Sequence, residues 1–217
     1  MKMVGNYNVK SKIEQEDSWF VGSHFAYASS ERVRRIFRDR IDFIFKCIYK
    51  MKRIRDGPIK LLDTGCGDGF FLEKMRRIDG LELVGIDYNP LRIARARQVC
   101  PDIPIYPIDL RSPDVDLGTF DIILLNQVIE HIEDDTGLLK LVQGYLKRDG
   151  RLILGTTNEG CFLQRMRAVR HKCPQTDHVH FYTEKGVRNK LKKKWGFELN
   201  LYFGKYSFLV LIGYIII

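Results

Sequence analysis

The sequence has no CxxC pair, no internal repeat, no low-complexity stretch and no apolar run approaching the ~20 residues of a membrane-spanning helix. Its five cysteines, Cys47, Cys66, Cys100, Cys161 and Cys173, are odd in number and scattered. That excludes a zinc ribbon and a disulfide scaffold and fits reduced thiols in the cytoplasm. The polar N-terminus lacks the apolar core of a signal peptide. Phe208 to Ile217 is the most apolar stretch, yet it is only about half the length of a membrane span and reads as a buried strand. An acidic excess is also missing: 36 Lys and Arg stand against 27 Asp and Glu, a formal charge of +9. Such a balance admits an acidic partner such as nucleic acid or a nucleotide-linked molecule without requiring one.

What is present is enough for a core. A chain of 217 residues that is 45% hydrophobic and 12% aromatic is expected to form one main domain. Strands are expected at Ile59 to Leu62, Leu81 to Ile86, Ile103 to Ile108, Phe120 to Leu125 and Arg151 to Gly155, alternating with amphipathic helices. The third is weakened by Pro104 and Pro107. Continuous apolar strands alternating with helices predict an α/β, doubly wound parallel sheet covered on both faces. Apolar residues at helical spacing make Glu31 to Arg55 an amphipathic helix with a basic outer face. A helix capped by Thr183 and ending near Gly196 precedes two strands, Phe197 to Phe203 and Phe208 to Ile216, expected as an antiparallel pair at the sheet edge. The total is seven strands, mostly parallel with an antiparallel last one. Residues 1–56 read as an N-terminal arm and helix that cover the acceptor side, and 57–217 as the main domain.

The sharpest signal is Leu61-Leu62-Asp63-Thr64-Gly65-Cys66-Gly67-Asp68-Gly69. Three glycines at alternate positions follow a strand and open a helix. They permit positive φ and close backbone approach to a ligand. The spacing is not the G-x-G-x-x-G of dinucleotide sites, and Asp63 would repel a diphosphate but attract an ammonium group. Asp87, at the end of the second strand, is placed to accept from ribose hydroxyls, or else to cap the helix at Asn89-Pro90. Asp109, at the end of the third, can receive a purine amine, or serve as a turn residue before Arg111-Ser112-Pro113. Together these groups describe a nucleoside with an ammonium group and no phosphate.

Residues about 59 to 157 resemble the core of the class I S-adenosylmethionine-dependent methyltransferases. The match runs through LLDTGCGDGFF, GIDYN, PIDL, FDIILLNQVIEHIED and LKRDGRLILGTTN in order. The resemblance implies a Rossmann-like fold, S-adenosyl-L-methionine as cofactor and S-adenosyl-L-homocysteine as product. It implies that Gly65, Gly67 and Gly69 pack against the cofactor, with Asp63 near its amino-acid part. Asp87 and Tyr88 fall on the ribose side and Asp109 and Leu110 on adenine. Asn126 and Gln127 border the methionine.

Methyl transfer to a hydroxyl needs alignment and a base. Glu130-His131, after the fourth strand, offers one at neutral pH, with a cofactor-orienting role as the rival reading. His178 and His180, if extended, point the same way and line the acceptor pocket or bond in the core. Glu130, His131, His178 and His180 resemble the metal-binding set of the small-RNA 2′-O-methyltransferases. Gln127 stands where that set has a glutamate, and no metal is expected. The segment from Asp177 to Phe197 also resembles methyltransferases of small metabolites, quinone precursors and sugars. The expected acceptor is a small molecule or sugar, and the expected reaction O-methylation. RNA or protein methylation, or an inert cofactor-binding subunit, are the alternatives. An aromatic group from Trp19 to Tyr27 reads as a lid or a packed arm, and the basic run from Arg165 to Lys172 as an anion site or a solvated face.

Overall fold

The computed structural model describes residues 31–111, 115–157, 178–195, 197–203 and 208–215; for 31–37, 39, 157 and 192–215 it describes the backbone alone. The aromatic group before residue 31 and the basic run at 165–172 lie outside the described residues. Helix α1 spans Glu31–Lys52. There follow β1 (Ile59–Thr64), α2 (Phe70–Met75), β2 (Leu81–Asp87), α3 (Pro90–Val99), β3 (Ile105–Pro107) and β4 (Phe120–Asn126). A 3-10 turn (Ile129–His131), α4 (Asp135–Tyr145), β5 (Leu146–Thr157), α5 (Glu184–Trp195), β6 (Phe197–Phe203) and β7 (Phe208–Ile215) complete the chain. The backbone pairs in the order β3-β2-β1-β4-β5-β7-β6. Strands β1 to β5 are mutually parallel, while β7 runs antiparallel to both β5 and β6.

The period-two side-chain alternation of strands divides the core into two layers. Leu61, Leu83, Ile122, Leu124 and Ile153 face one way, against Ile44, Cys47, Ile48 and Met51 of α1, with Leu72 and Met75 of α2 and Ile93 and Ala96 of α3. Leu62, Ile86, Ile123, Leu125, Leu152 and Leu154 face the other, against Leu138, Leu139 and Val142 of α4 and Val187 and Leu191 of α5. This is the doubly wound, Rossmann-like α/β arrangement that the sequence pattern predicts.

Several boundaries differ, each for a physical reason. Helix α1 stops at Lys52 rather than Arg55, where turn bonds to Tyr49 and Met51 replace the regular ladder ahead of Gly57-Pro58. Strand β3 keeps three residues; Pro104, with no N–H of its own, precedes it and accepts from Gly85 N at 2.9 Å. Strand β5 begins at Leu146 rather than Arg151, and an irregularity between Phe120 and Ile122 takes up the register. Thr183 caps α5 as expected, accepting from Gly186 N at 3.1 Å.

The lower edge of the sheet is fastened by Asp121, at the start of β4. Its 1% exposed carboxylate accepts from Arg55 Nη1 at 2.5 Å, Lys147 Nζ at 2.8 Å and Lys60 N at 2.9 Å. Burial pushes this carboxyl up, but Lys147, the Lys60 amide and Arg55 outweigh it and hold the group below the usual range. A depressed carboxyl contributes stability above its unfolded value, about pH 4, and loses it as pH falls through the folded value. Asp121→Asn is therefore expected to cost about 1.5–3 kcal/mol at neutral pH. Urea unfolding checks this, and the deficit should shrink as the buffer is taken toward about pH 3.

Candidate active site

The candidate residues collect at the carboxyl ends of β1, β2 and β4, where ligands bind in open parallel sheets. The glycine loop is folded back over β2: Gly65 N and Cys66 N both donate to Ile86 O, at 2.8 and 2.9 Å, and Gly67 N donates to Asp87 Oδ2 at 2.8 Å. All three glycines have positive φ. A Cβ on Gly65 would lie 2.4 Å from Val128 Cγ2, and one on Gly69 3.2 Å from Ala96 Cβ. Two of the three bare positions thus let the loop settle against its own protein.

Beneath this loop lie two carboxylates. Asp63 is 2% exposed, its Oδ2 accepts no hydrogen bond among the described residues, and burial together with the nearby Asp87 pushes it up to about 8. Asp87 is 4% exposed and spends one oxygen on Gly67 N and the other on Asn89 N at 2.9 Å. Asn89, not Asp87, caps α3, its Oδ1 accepting from Leu91 N and Arg92 N. Each Asp87 oxygen keeps a lone pair for a further donor. Asp109 sits in a half-exposed pair with Arg111, and that hydrogen-bonded guanidinium holds its carboxyl below the usual value. This is a turn-residue arrangement, with Arg111 N–H donating back to Asp109 Oδ1 at 2.9 Å. Leu110 packs at the edge of the second core layer.

At the end of β4, the backbone turns sharply. Gln127 adopts φ 57, donates its N–H to Gly155 O at 2.7 Å, and leaves Nε2 buried without an acceptor among the described residues. Asn126 lies against Gly155, whose absent Cβ would stand 2.4 Å from Asn126 Oδ1. Left-handed backbone at a non-glycine residue costs of order 1–3 kcal/mol and clusters at functional sites.

The 3-10 turn then buries Glu130 completely beside His131, Thr156 and Arg40. Burial raises the Glu130 carboxyl, while its own backbone amide and the His131, Thr156 and Arg40 groups oppose the shift. The rings of His131 and His178 meet edge to face at 4.9 Å. Ligand atoms of Glu130, His131 and His178 all lie within 4.8 Å of one another, so these three could hold a divalent ion. The segment carrying His178 is hung on the same turn, because Val179 N and His180 N both donate to Glu130 O.

The two histidines of that segment both turn toward the protein but meet different partners. His178 joins His131. His180 turns instead to Glu133 O, with Nε2 2.9 Å from it, and lies 3.8 Å from Asp135. Its place is in an anchoring network: Tyr182 OH donates to Asp135 Oδ2 at 2.6 Å and Lys190 pairs with the same oxygen. Burial raises Asp135, but Lys190 and Tyr182 outweigh it and leave the carboxyl depressed; burial and that carboxylate push the Tyr182 hydroxyl well up.

Sequence reasoning missed Arg40 and Asp135. Arg40 is 8% exposed on α1, and its burial lowers it to about 10 against the pull of Glu130. The signal was there: Arg40 lies four residues before Ile44 on the apolar stripe, a charge where a core residue belongs. Asp135, four residues after His131, carries no distinguishing signal in the sequence.

A parallel sheet of this order with a glycine bend, a carboxylate at each of the next strand ends and a polar turn after β4 defines a Rossmann-like, class I methyltransferase architecture. The family described as "Methyltransferase domain" matches residues 29–201, and the chain belongs to it. Ubiquinone biosynthesis O-methyltransferases are 29% identical over 118 residues in Xanthomonas axonopodis pv. citri and 36% over 129 residues in Pelagibacter ubique. The matches cover 51% and 55% of this chain and 48% and 53% of those proteins, so the chain spans about half the length of the curated relatives it matches. Magnesium protoporphyrin IX methyltransferase from Synechocystis PCC 6803, solved with bound S-adenosylhomocysteine, shares the fold with TM-score 0.65 and 17% identity over 85% of this chain and 87% of that one. A small RNA methyltransferase shares it with TM-score 0.61 and 22% identity over 82% of this chain and 25% of that one.

S-adenosyl-L-methionine is the methyl donor of this family, and the residues present fit it. The orphaned Asp63 oxygen wants a cation, no phosphate-binding spacing is present, and Asp87 can take two more donors. An ammonium group requires Asp63 ionised, so binding to the apo protein releases a proton below about pH 8. Affinity for S-adenosylhomocysteine is expected to rise with pH up to about 8 and then level off, and the slope should vanish in Asp63→Asn. Asp87→Ala should weaken the same binding by roughly 1.5–3 kcal/mol in calorimetry.

Proposed function

We propose that the chain transfers a methyl group from S-adenosyl-L-methionine to an oxygen of a small organic molecule or sugar. The observation that carries this reading is the adjacency of His131 and His178, backed by the buried Glu130, one turn beyond the strand end that borders the cofactor residues. Bound in the bend, the cofactor supplies an electrophilic methyl carbon on a sulfonium, which is already a good leaving group. The protein has only to orient the acceptor and take its proton.

In this reading Asp63 holds the cofactor's ammonium group and Asp87 its ribose, while Gly67 keeps the backbone low between them. His131 accepts the acceptor's hydroxyl proton. His178, edge-on to it, bounds the acceptor and fixes the imidazole plane. The Glu130 carboxylate steadies the positive charge that His131 gains, and Arg40 balances Glu130 when the histidine is neutral. His180 acts as an anchor for the segment rather than as a base. The O-methyltransferase relatives support oxygen as the acceptor atom, since they act in ubiquinone biosynthesis by name. The buried thiols Cys47, Cys66 and Cys100 suit a reducing cytoplasm. Among the described residues no helix is long and apolar enough to cross a membrane.

The Glu130, His131 and His178 cluster favours a second reading, in which these three residues would hold a divalent ion and the ion would supply Lewis-acid activation of the acceptor hydroxyl in place of a free histidine base. Glu130 would then be the anionic ligand and Gln127 the neutral neighbour that limits the site's charge.

A panel of phenols, catechols and sugars, offered with methyl-labelled cofactor, tests the activity. His131→Ala is expected to lose about 10²–10⁴ of the methylation rate while S-adenosylhomocysteine binding stays unchanged. Full activity in that variant would remove the histidine from the chemistry. Loss of turnover on chelation, restored by Mg²⁺ or Mn²⁺, would favour the second reading. Cofactor binding with no methylated product from any acceptor would point to an inert subunit.

A further inference from the structure

At the carboxyl ends of β2 and β3 an arginine already sits on the groups that a nucleoside base would use. Arg111 places its Cζ 5.1 Å from the ring centroid of Tyr88, a side chain that is half exposed. The same guanidinium grips Asp109. Its Nε donates to Oδ1 at 2.8 Å and to Oδ2 at 3.0 Å, and its Nη2 to Oδ2 at 2.6 Å. The Arg111 backbone N–H adds a bond to Oδ1 at 2.9 Å. A carboxylate offers about four lone-pair sites, and these four bonds fill them. An incoming amine therefore finds no acceptor on Asp109 until Arg111 lets go.

Chemistry makes the guanidinium a good mimic of a purine. Both are flat, both stack on an aromatic face, and both present N–H donors along one edge to a carboxylate. They differ in charge, and salt distinguishes them: it weakens an exposed ion pair but leaves a neutral base almost untouched. The side chains of Arg111 and Asp109 are 54% and 38% exposed, so the pair is open to exchange.

We propose that Arg111 is a resident stand-in for the cofactor's nucleoside base, stacked on Tyr88 and chelated by Asp109, and that the base binds by exchanging with it. Arg111 then sets cofactor affinity from within the chain. The inference deepens the cofactor reading above and rests on it, extending it by setting Tyr88, expected on the ribose side, and Asp109, expected at adenine, together beside the base.

The test is calorimetric titration of the full chain and of Arg111→Ala with S-adenosylhomocysteine and, separately, with uncharged adenosine, at about 0.05 M and about 0.5 M NaCl. Removing the competitor should tighten S-adenosylhomocysteine binding about three- to tenfold, the combined worth of an exposed ion pair and an exposed cation–π contact. Adenosine should bind the natural chain more tightly at the higher salt, and the variant equally at both. Binding that is unchanged or weaker in Arg111→Ala, or adenosine affinity in the natural chain that ignores salt, overturns the inference and leaves the cofactor reading intact. No binding of S-adenosylhomocysteine by either protein overturns both.

Discussion

Two carboxylates buried at neighbouring strand ends, with no cation beside them among the described residues, form the constraint around which the rest is arranged. Burial and the neighbouring Asp87 raise the cost of ionising Asp63, and the two backbone N–H groups at hand, of Gly67 and Asn89, turn to Asp87 instead. One of those groups belongs to Gly67, so the glycine bend and the second strand are held by the same carboxylate that the ribose is expected to use. In the proposed reading Asp63 is left to the ligand. The bend can descend far enough to reach Asp87 only because Gly65 and Gly69 carry no side chains against Val128 and Ala96.

The acceptor side is organised by a different device. A buried acid, Asp135, gathers Tyr182 and Lys190, and the Glu130 carbonyl takes two backbone donors from the segment between His178 and His180. The segment therefore reaches His131 with its register fixed at both ends. Charged hydrogen bonds to a largely desolvated carboxylate are among the stronger polar interactions in a folded chain, which suits a strap that must place one imidazole beside another.

Much of this was legible in the sequence, and the pattern of what was not is instructive. Strand faces follow from a period of two, so Leu61 and Leu62, or Ile122 and Ile123, announce both core layers. The glycine spacing together with Asp63 pointed to an ammonium-bearing, phosphate-free ligand before any geometry was known. Asp109 is the opposite case: its carboxylate is as visible in the sequence as Asp87, but only coordinates reveal that Arg111, two residues on, has claimed it. The division of His178 from His180 was equally hidden, because it depends on the long-range bond to Glu133 O. Arg40 and Asp135 were missed for one reason. A charged residue in an amphipathic stretch is read as solvent-facing, and burial by tertiary packing overrides that expectation.

From His178 to Tyr182 the chain alternates inward and outward: His178, His180 and Tyr182 turn to the protein, Val179 and Phe181 to solvent. Orientation here is a matter of parity. Adding or deleting one residue between the Glu130 carbonyl contact and Tyr182 would turn the tyrosine outward and break its bond to Asp135, while the contact upstream still holds His178. A change of two would restore the facing. A lone indel there would thus uncouple the strap from α4 without altering a single residue type.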